Sequence, residues 1–350
     1  MLLETTLEKI RPLDRSVEAE AQKRLDSLTK PQGSLGRLED LARRISCIQD
    51  QVPPRLGRKL LFVFAADHGI TEEMVSAYPK AVTAQMVGNF LSGGGAINVL
   101  ARHYGVDLEI VDIGVDHEFS QPRGLRDLKV RRGTNNFSRG PAMTRTEAMQ
   151  CIETGIWLVE EAAENLFLLG AGDMGIGNTS SAAAILCALT GAAPRDVTGR
   201  GTGISDEMWG RKVAAIERGL KLNQPDRHDP LDVLTKLGGF EIGAMTGMML
   251  ATAARRIPLI LDGYISAAAA LLGVRMNPHV REGLIASHLS AENGHGAMLD
   301  ELRLIPFLNL GMRLGEGTGA CIAMGLAEAA VKAMREMATF DSAGIEKKIS

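Results

Sequence analysis

The stretch LGMRLGEGTGA, residues 310–320, sets Glu316 between two glycines and runs on into the apolar, helix-like CIAMGLAEAAVKAM. Glycine lets main chain and ligand approach closely, so this carboxylate reads either as one that reaches a ligand or as the polar end of a loop at a helix start. A second Gly-rich stretch, GAGDMG (170–175), has G-x-G-x-x-G spacing behind an apolar run and opens into NTSSAAA. A dinucleotide site needs more, namely a following strand with an acidic residue about 20 positions on to hold a ribose. Here Asp196 sits in the Pro–Gly loop of LTGAAPRDVTGRGTGISDE with no apolar strand before it, which discounts a nicotinamide-dependent dehydrogenase. What survives is general: glycines leading into a helix that Asn178, Thr179 or Ser180 can cap expose N–H groups, which with the helix dipole attract phosphate. GRGTGIS (199–205) and Lys212 could complete such an anion site, although Lys212 reads equally as a solvated helix position.

The remaining polar clusters carry weaker signals. His288 and His295 in SHLSAENGHG are seven residues apart with no fixed carboxylate partner, poor spacing for a metal, and read as hydrogen-bonding loop residues. Asp67 and His68 in AADHG read as structural support at a strand end rather than as a site. Cys47, Cys151, Cys187 and Cys321 are far apart and form no C-x-x-C, so buried free thiols are expected rather than disulfides or a zinc centre.

These loops need a scaffold. Short apolar runs without alternation, LLFVFAAD (60–67), DLEIVDIGV (107–115), NLFLLGAGD (165–173) and PLILDG (258–263), read as strands covered on both faces. Helical stretches such as VTAQMVGNFLSGGGAINVLARHYG and NTSSAAAILCALTG lie between them, pointing to a parallel α/β sheet with right-handed crossovers. Ligands bind at the carboxyl ends of such strands, so the Gly- and Asp-bearing loops should converge on one rim. The helical patterns of residues 1–50 and the closing helix 317–338 are expected to pack together as a small second unit, and the polar tail FDSAGIEKKIS to fray.

With 350 residues, 39 glycines, 4% aromatics and a net charge of −3, the composition favours closely packed helices and shows no electrostatic footprint for nucleic acid. The most apolar windows fall short of the ~20 residues that a membrane span needs. The N-terminus has no apolar core of signal-peptide length, and a cytoplasmic protein is expected.

Together, KPQGSLGRLEDLA, ADHGI, SAYPKAVTAQM, GAGDMGIGNTS, KLGGFEIGAMTGMML, LDGYISAAAAL, SHLSAENG and MRLGEGTGA resemble one family from about residue 5 to 340. It is the nicotinate-nucleotide:dimethylbenzimidazole phosphoribosyltransferases, which make the α-ribazole phosphate of the cobalamin lower loop. The resemblance implies a homodimer with a Rossmann-like α/β domain over 59–316, helices on both sheet faces, and a small helical domain from the chain ends, 1–58 and 317–350. It also implies a reaction without metal or cofactor, in which a ring nitrogen of the base attacks C1′ of nicotinate mononucleotide, nicotinate leaves, and β inverts to α.

Under this resemblance Glu316 is the general base that takes the proton from the second ring nitrogen. The phosphate and ribose fall to Gly175, Ile176, Gly177, Asn178, Thr179, Ser180, Gly203, Lys212, Asp262 and Ser290. The acceptor base falls to Tyr78, Met86, Met174, Met312 and Leu314. Two positions depart from the family pattern. Asp173 stands where the motif commonly has a second Glu, and is expected to orient the ribose, to assist the base, or to act only through water. Tyr78 and Met86 stand where some relatives have Ser and Gln, making the slot bulkier and less able to hydrogen-bond a ring N–H. The acceptor therefore stays open among benzimidazoles, purines and phenols, and a nucleotide-binding protein without catalysis remains the alternative from outside the class.

Overall fold

The computed structural model describes residues 1–120 and 122–346; the last part of the polar tail, 347–350, lies outside them. Six strands form one parallel sheet among the described residues: β1 (Arg58–Ala66), β2 (Asp107–Gly114), β3 (Leu125–Asp127), β4 (Leu166–Met174), β5 (Leu259–Leu261) and β6 (Leu284–Ala286). Their order is β3-β2-β1-β4-β5-β6. The order reverses between β1 and β4, and a crevice opens at such a switch point outside the carboxyl ends of the strands.

Successive β1 side chains serve two cores. Leu60, Phe62, Phe64 and Ala66 join one apolar cluster, with helices Arg145–Ala162, Asn178–Thr190, Phe240–Arg255 and Tyr264–Met276. Leu61, Val63 and Ala65 join the other, with helices Arg37–Gln49, Val82–Leu91, Ala96–Tyr104 and Thr318–Glu336. Each fully buried Leu, Val or Phe contributes about 1.5–3 kcal/mol, and burial on both faces is why these strands show no polar alternation.

The two chain ends meet. Helices Ser16–Asp26 and Arg37–Gln49 pack with Thr318–Glu336 on the second face, and Thr29 N–H donates to Ala338 O at 3.0 Å. The short helix Leu2–Leu7 crosses instead to the first face, where Leu3 N–H donates to Glu153 Oε1 at 3.1 Å. Of the four cysteines, Cys151, Cys187 and Cys321 are buried and Cys47 half-buried, all as free thiols. Among the described residues no helix is long and apolar enough to cross a membrane.

The first two glycines of GAGDMG are not a phosphate turn. Gly170 and Gly172 lie inside β4, and a Cβ on Gly172 would stand 2.3 Å from the carbonyl carbon and oxygen of Glu316. The bare strand is the floor on which the Glu316 turn rests. Gly172→Ala is therefore expected to destabilise the protein by about 1–3 kcal/mol, the cost of overpacking, and to displace Glu316. Urea denaturation alongside an activity assay checks this; full stability and full activity together would contradict it.

Candidate active site

At the carboxyl ends of β1 and β4 lies a cavity of ≈ 550 Å³, within the range of small-molecule sites. Its floor is the end of β4, where Asp173 and Met174 lead into Gly175–Thr179 and helix Asn178–Thr190. Along this turn Ile176 N–H donates to Thr83 Oγ1 at 3.1 Å, Asn178 N–H to Gly175 O at 3.1 Å and Ser180 N–H to Gly177 O at 3.0 Å. Among the described residues the amides of Gly177 and Thr179 have no acceptor, and both residues line the cavity. This is the geometry of an anion-binding helix start.

Lys212 is not a solvated helix position but fully buried. Its Nζ donates to Thr179 Oγ1 at 2.7 Å and to Gly199 O at 3.2 Å, one layer behind the cavity wall. Burial pushes its ammonium down to about 8, with the Glu292 carboxylate pulling the other way. Glu292 in turn accepts from Gly201 N–H at 2.9 Å. The loop carrying Gly201 bridges the cavity mouth: Thr202 Oγ1 accepts from Ala77 N–H at 3.0 Å, and Arg313 Nη1 donates to Gly201 O at 3.1 Å.

Glu316 reaches the rim because three successive residues turn in the left-handed region: Gly315 at φ 85°, Glu316 at 61° and Gly317 at 86°. Glycine takes such angles freely and Glu does not, so the flanking glycines shape the turn as well as clear space. The turn is held by Asp262 at the end of β5, whose carboxylate accepts from the N–H groups of Gly319 (2.7 Å), Ala320 (3.0 Å) and Gly317 (3.2 Å). Asp262 thus caps helix Thr318–Glu336. The Glu316 carboxylate, buried but lining the cavity, accepts from Ile97 N–H at 3.4 Å, at the start of helix Ala96–Tyr104. Burial raises its pKa, while the Ile97 and Ala96 amides oppose the rise.

Comparison with known proteins agrees with this geometry. The family model DBI_PRT, described as "Phosphoribosyltransferase", matches residues 10–345. The chain belongs to this phosphoribosyltransferase family. It is 55% identical over 345 residues, 98% of each chain, to the nicotinate-nucleotide–dimethylbenzimidazole phosphoribosyltransferase of Geobacter sulfurreducens, and 53% identical to that of Geobacter metallireducens over 99% of this chain and 98% of the relative. The crystal structure of CobT from Thermus thermophilus superposes with a TM-score of 0.91 at 46% identity, over 95% of this chain and all of that one.

In this phosphoribosyltransferase most of the residues singled out by sequence come together. Tyr78, Met86, Asp173, Met174, Gly175, Ile176, Gly177, Asn178, Thr179, Ser290, Leu314 and Glu316 all line the cavity. Lys212 and Asp262 stand behind its wall, as described. Ser180 is buried in the first turn of its helix, Gly203 lies on the far side of the Gly201 loop, and Met312 precedes the lining residues, with its carbonyl oxygen accepting from Ala291 N–H at 2.9 Å. Sequence reasoning missed His288, Glu292, Arg313 and Thr202 as lining residues. The first two follow β6, a three-residue strand without the flanking apolar residues that extend β5, so their loop had no assigned place on the rim.

His288 and His295 are hydrogen-bonding residues. Ser290 N–H donates to His295 Nδ1 at 2.9 Å, and burial pushes the His295 imidazole down to about 4, so the acceptor nitrogen stays unprotonated at neutral pH. Asp173 accepts from Asn178 Nδ2 at 2.7 Å. Burial, with the nearby Asp262 carboxylate second, pushes it up to about 8 from an ordinary 3.8. The folded state therefore holds this proton after the unfolded chain has lost it, and the stability contribution is full below about 4 and lost as pH rises through about 8. Asp173→Asn should be more stable than the parent by a margin that grows from pH 5 to 9. Thermal melts across that range check this, and a constant margin would contradict it.

Proposed function

We propose that this phosphoribosyltransferase moves the 5-phosphoribosyl group of nicotinate mononucleotide onto dimethylbenzimidazole or a related lower-ligand base, releasing nicotinate with inversion at C1′. The observation that carries the reading is the position of Glu316, a buried carboxylate between an amide-lined anion end and an apolar wall. The base nitrogen forms the new bond to C1′, the bond to the pyridinium nitrogen breaks, and its electron pair leaves nicotinate with a neutral ring nitrogen. The second nitrogen of the attacking ring gives its proton to Glu316. The same carboxylate faces the cationic character that develops at C1′ and on the ring.

The nucleotide phosphate is assigned to the amides of Gly177 and Thr179 with the Thr179 hydroxyl, backed by the Lys212 charge and flanked by Ser290. Binding energy from this remote group aligns C1′ with the incoming nitrogen. Asp173 is assigned to the ribose side of the floor. Tyr78, Met86, Met174 and Leu314 form the acceptor slot, where a phenol and two thioethers favour a flat apolar ring over one that needs several polar partners.

As implied by the family resemblance, the enzyme is proposed to work as a cytoplasmic homodimer. Tyr78, Ile305, Leu310 and Leu314 are exposed at 55%, 76%, 57% and 58%, the kind of apolar surface that partners cover.

Glu316→Gln is expected to fold and bind the nucleotide while losing on the order of 10²–10⁴ in kcat, the usual contribution of a general base. Release of nicotinate from the mononucleotide and dimethylbenzimidazole measures it, and near-parental kcat would overturn the assignment. Competition among azole, purine and phenolic acceptors, with the α-riboside product identified, tests the slot.

Lys212 supplies an independent check. With its pKa held near 8, a bound phosphate dianion favours the charged form and draws in a proton. Calorimetry at pH 8.5 in buffers of different ionisation enthalpy should show proton uptake on nucleotide binding that Lys212→Met abolishes; equal heats in all buffers would remove Lys212 from the site.

A further inference from the structure

A buried polar triad lies beneath the anion turn and takes no direct part in the chemistry above. His68, at the end of β1, is 1% exposed and Glu241 0%. His68 Nε2 meets Glu241 Oε1 at 2.7 Å and its Nδ1 meets Ser181 Oγ at 3.1 Å. The three residues come from separate elements: a strand end, the first turn of helix Phe240–Arg255, and the first turn of helix Asn178–Thr190.

A carboxylate only accepts, so His68 Nε2–H donates to Glu241 and fixes the ring's orientation. Ser181 Oγ stands between His68 Nδ1 and Gly238 O, at 3.1 and 3.4 Å. Among the described residues the second Glu241 oxygen, Oε2, is buried without a hydrogen-bond partner, so the bond from His68 is what offsets the burial of this carboxylate. Glu241 also lies in the first turn of its helix, where the dipole favours an anion.

The ring packs directly under the proposed nucleotide site. A Cβ on Gly175 would stand 3.4 Å from both His68 Cδ2 and Nε2, and one on Gly177 would stand 3.4 Å from His68 Cβ. Through Ser181 the same ring is tied to the helix start that presents the Gly177 and Thr179 amides. We infer that His68 and Glu241 are the positioning pair of the nucleotide site, a buried hydrogen-bonded couple that fixes the Gly175–Ser181 turn from below. The inference rests on the reading of that turn as the nucleotide phosphate site.

The variants are His68→Gln, Glu241→Gln and Ser181→Ala. Glu241→Gln keeps the shape and removes the charge. Hydrogen exchange of the 173–184 segment in the free enzyme reads the clamp without any substrate, and exchange about tenfold faster there than in the parent is expected, with distant segments unchanged. In steady-state assays KM for nicotinate mononucleotide should rise about tenfold or more, while KM for dimethylbenzimidazole and kcat stay within about threefold. Parental exchange in the segment with an unchanged nucleotide KM would overturn the inference, as would a uniform fall in all kinetic parameters that leaves the KM ratio fixed. Faster exchange in an enzyme whose parent does not bind the mononucleotide would keep the clamp and refute the functional reading instead. If His68→Gln does not fold, Glu241→Gln and Ser181→Ala decide the same question.

Discussion

The place of Glu316 at the rim depends on one capping interaction. Asp262 closes β5 and accepts three N–H groups from the start of the last long helix, which brings residue 316 across more than fifty positions of chain to the strand ends. A capping carboxylate satisfies donors that would otherwise be orphaned, and here the donors belong to a helix contributed by the end of the chain. Without that bond the Glu316 turn would keep the shape of β4, its own Thr318–Gly315 bonds and the Ile97 amide to hold it. Burial pushes this carboxylate up to about 7, while its three amide partners pull it back toward the ionised form.

The site gathers like charges in a small volume. Asp173, Asp262 and Glu316 all have raised pKa values, with burial the first cause in each case and mutual repulsion adding to the first two. Lys212 is pushed the other way by the same burial. Groups poised near neutrality are what proton transfer requires and what a folded core resists. The surrounding sheet, with both faces covered, supplies the stability that lets such a cluster persist.

Much of this was legible in the chain, and the gaps have physical causes. The β1, β2, β4 and β5 runs announce themselves because burial on both faces leaves long or sharply bounded apolar stretches. β5 is no longer than β3 or β6, but Ile257 and Pro258 extend its apolar run and Asp262–Gly263 close it, whereas β3 is the polar LRD and β6 the bare LIA, so the SHLSAENG loop had no place in the fold. Lys212 was ambiguous because periodicity puts a residue on a helix face without saying what that face meets. Gly172 was opaque for a related reason. A glycine that admits another main chain and a glycine that admits a phosphate look the same in a sequence, and only the packing of Glu316 on β4 separates them.

The contact between Gly172 and Glu316 joins main chain to main chain, whereas the proposed acceptor slot is walled by side chains such as Tyr78, Met86 and Leu314. Reactivity is thus anchored in a part of the molecule that substitution can hardly reshape, and selectivity in a part that it can. Point changes in the slot leave the location of the carboxylate untouched. The architecture keeps the reaction fixed while leaving the choice of ring free to drift among descendants of one scaffold.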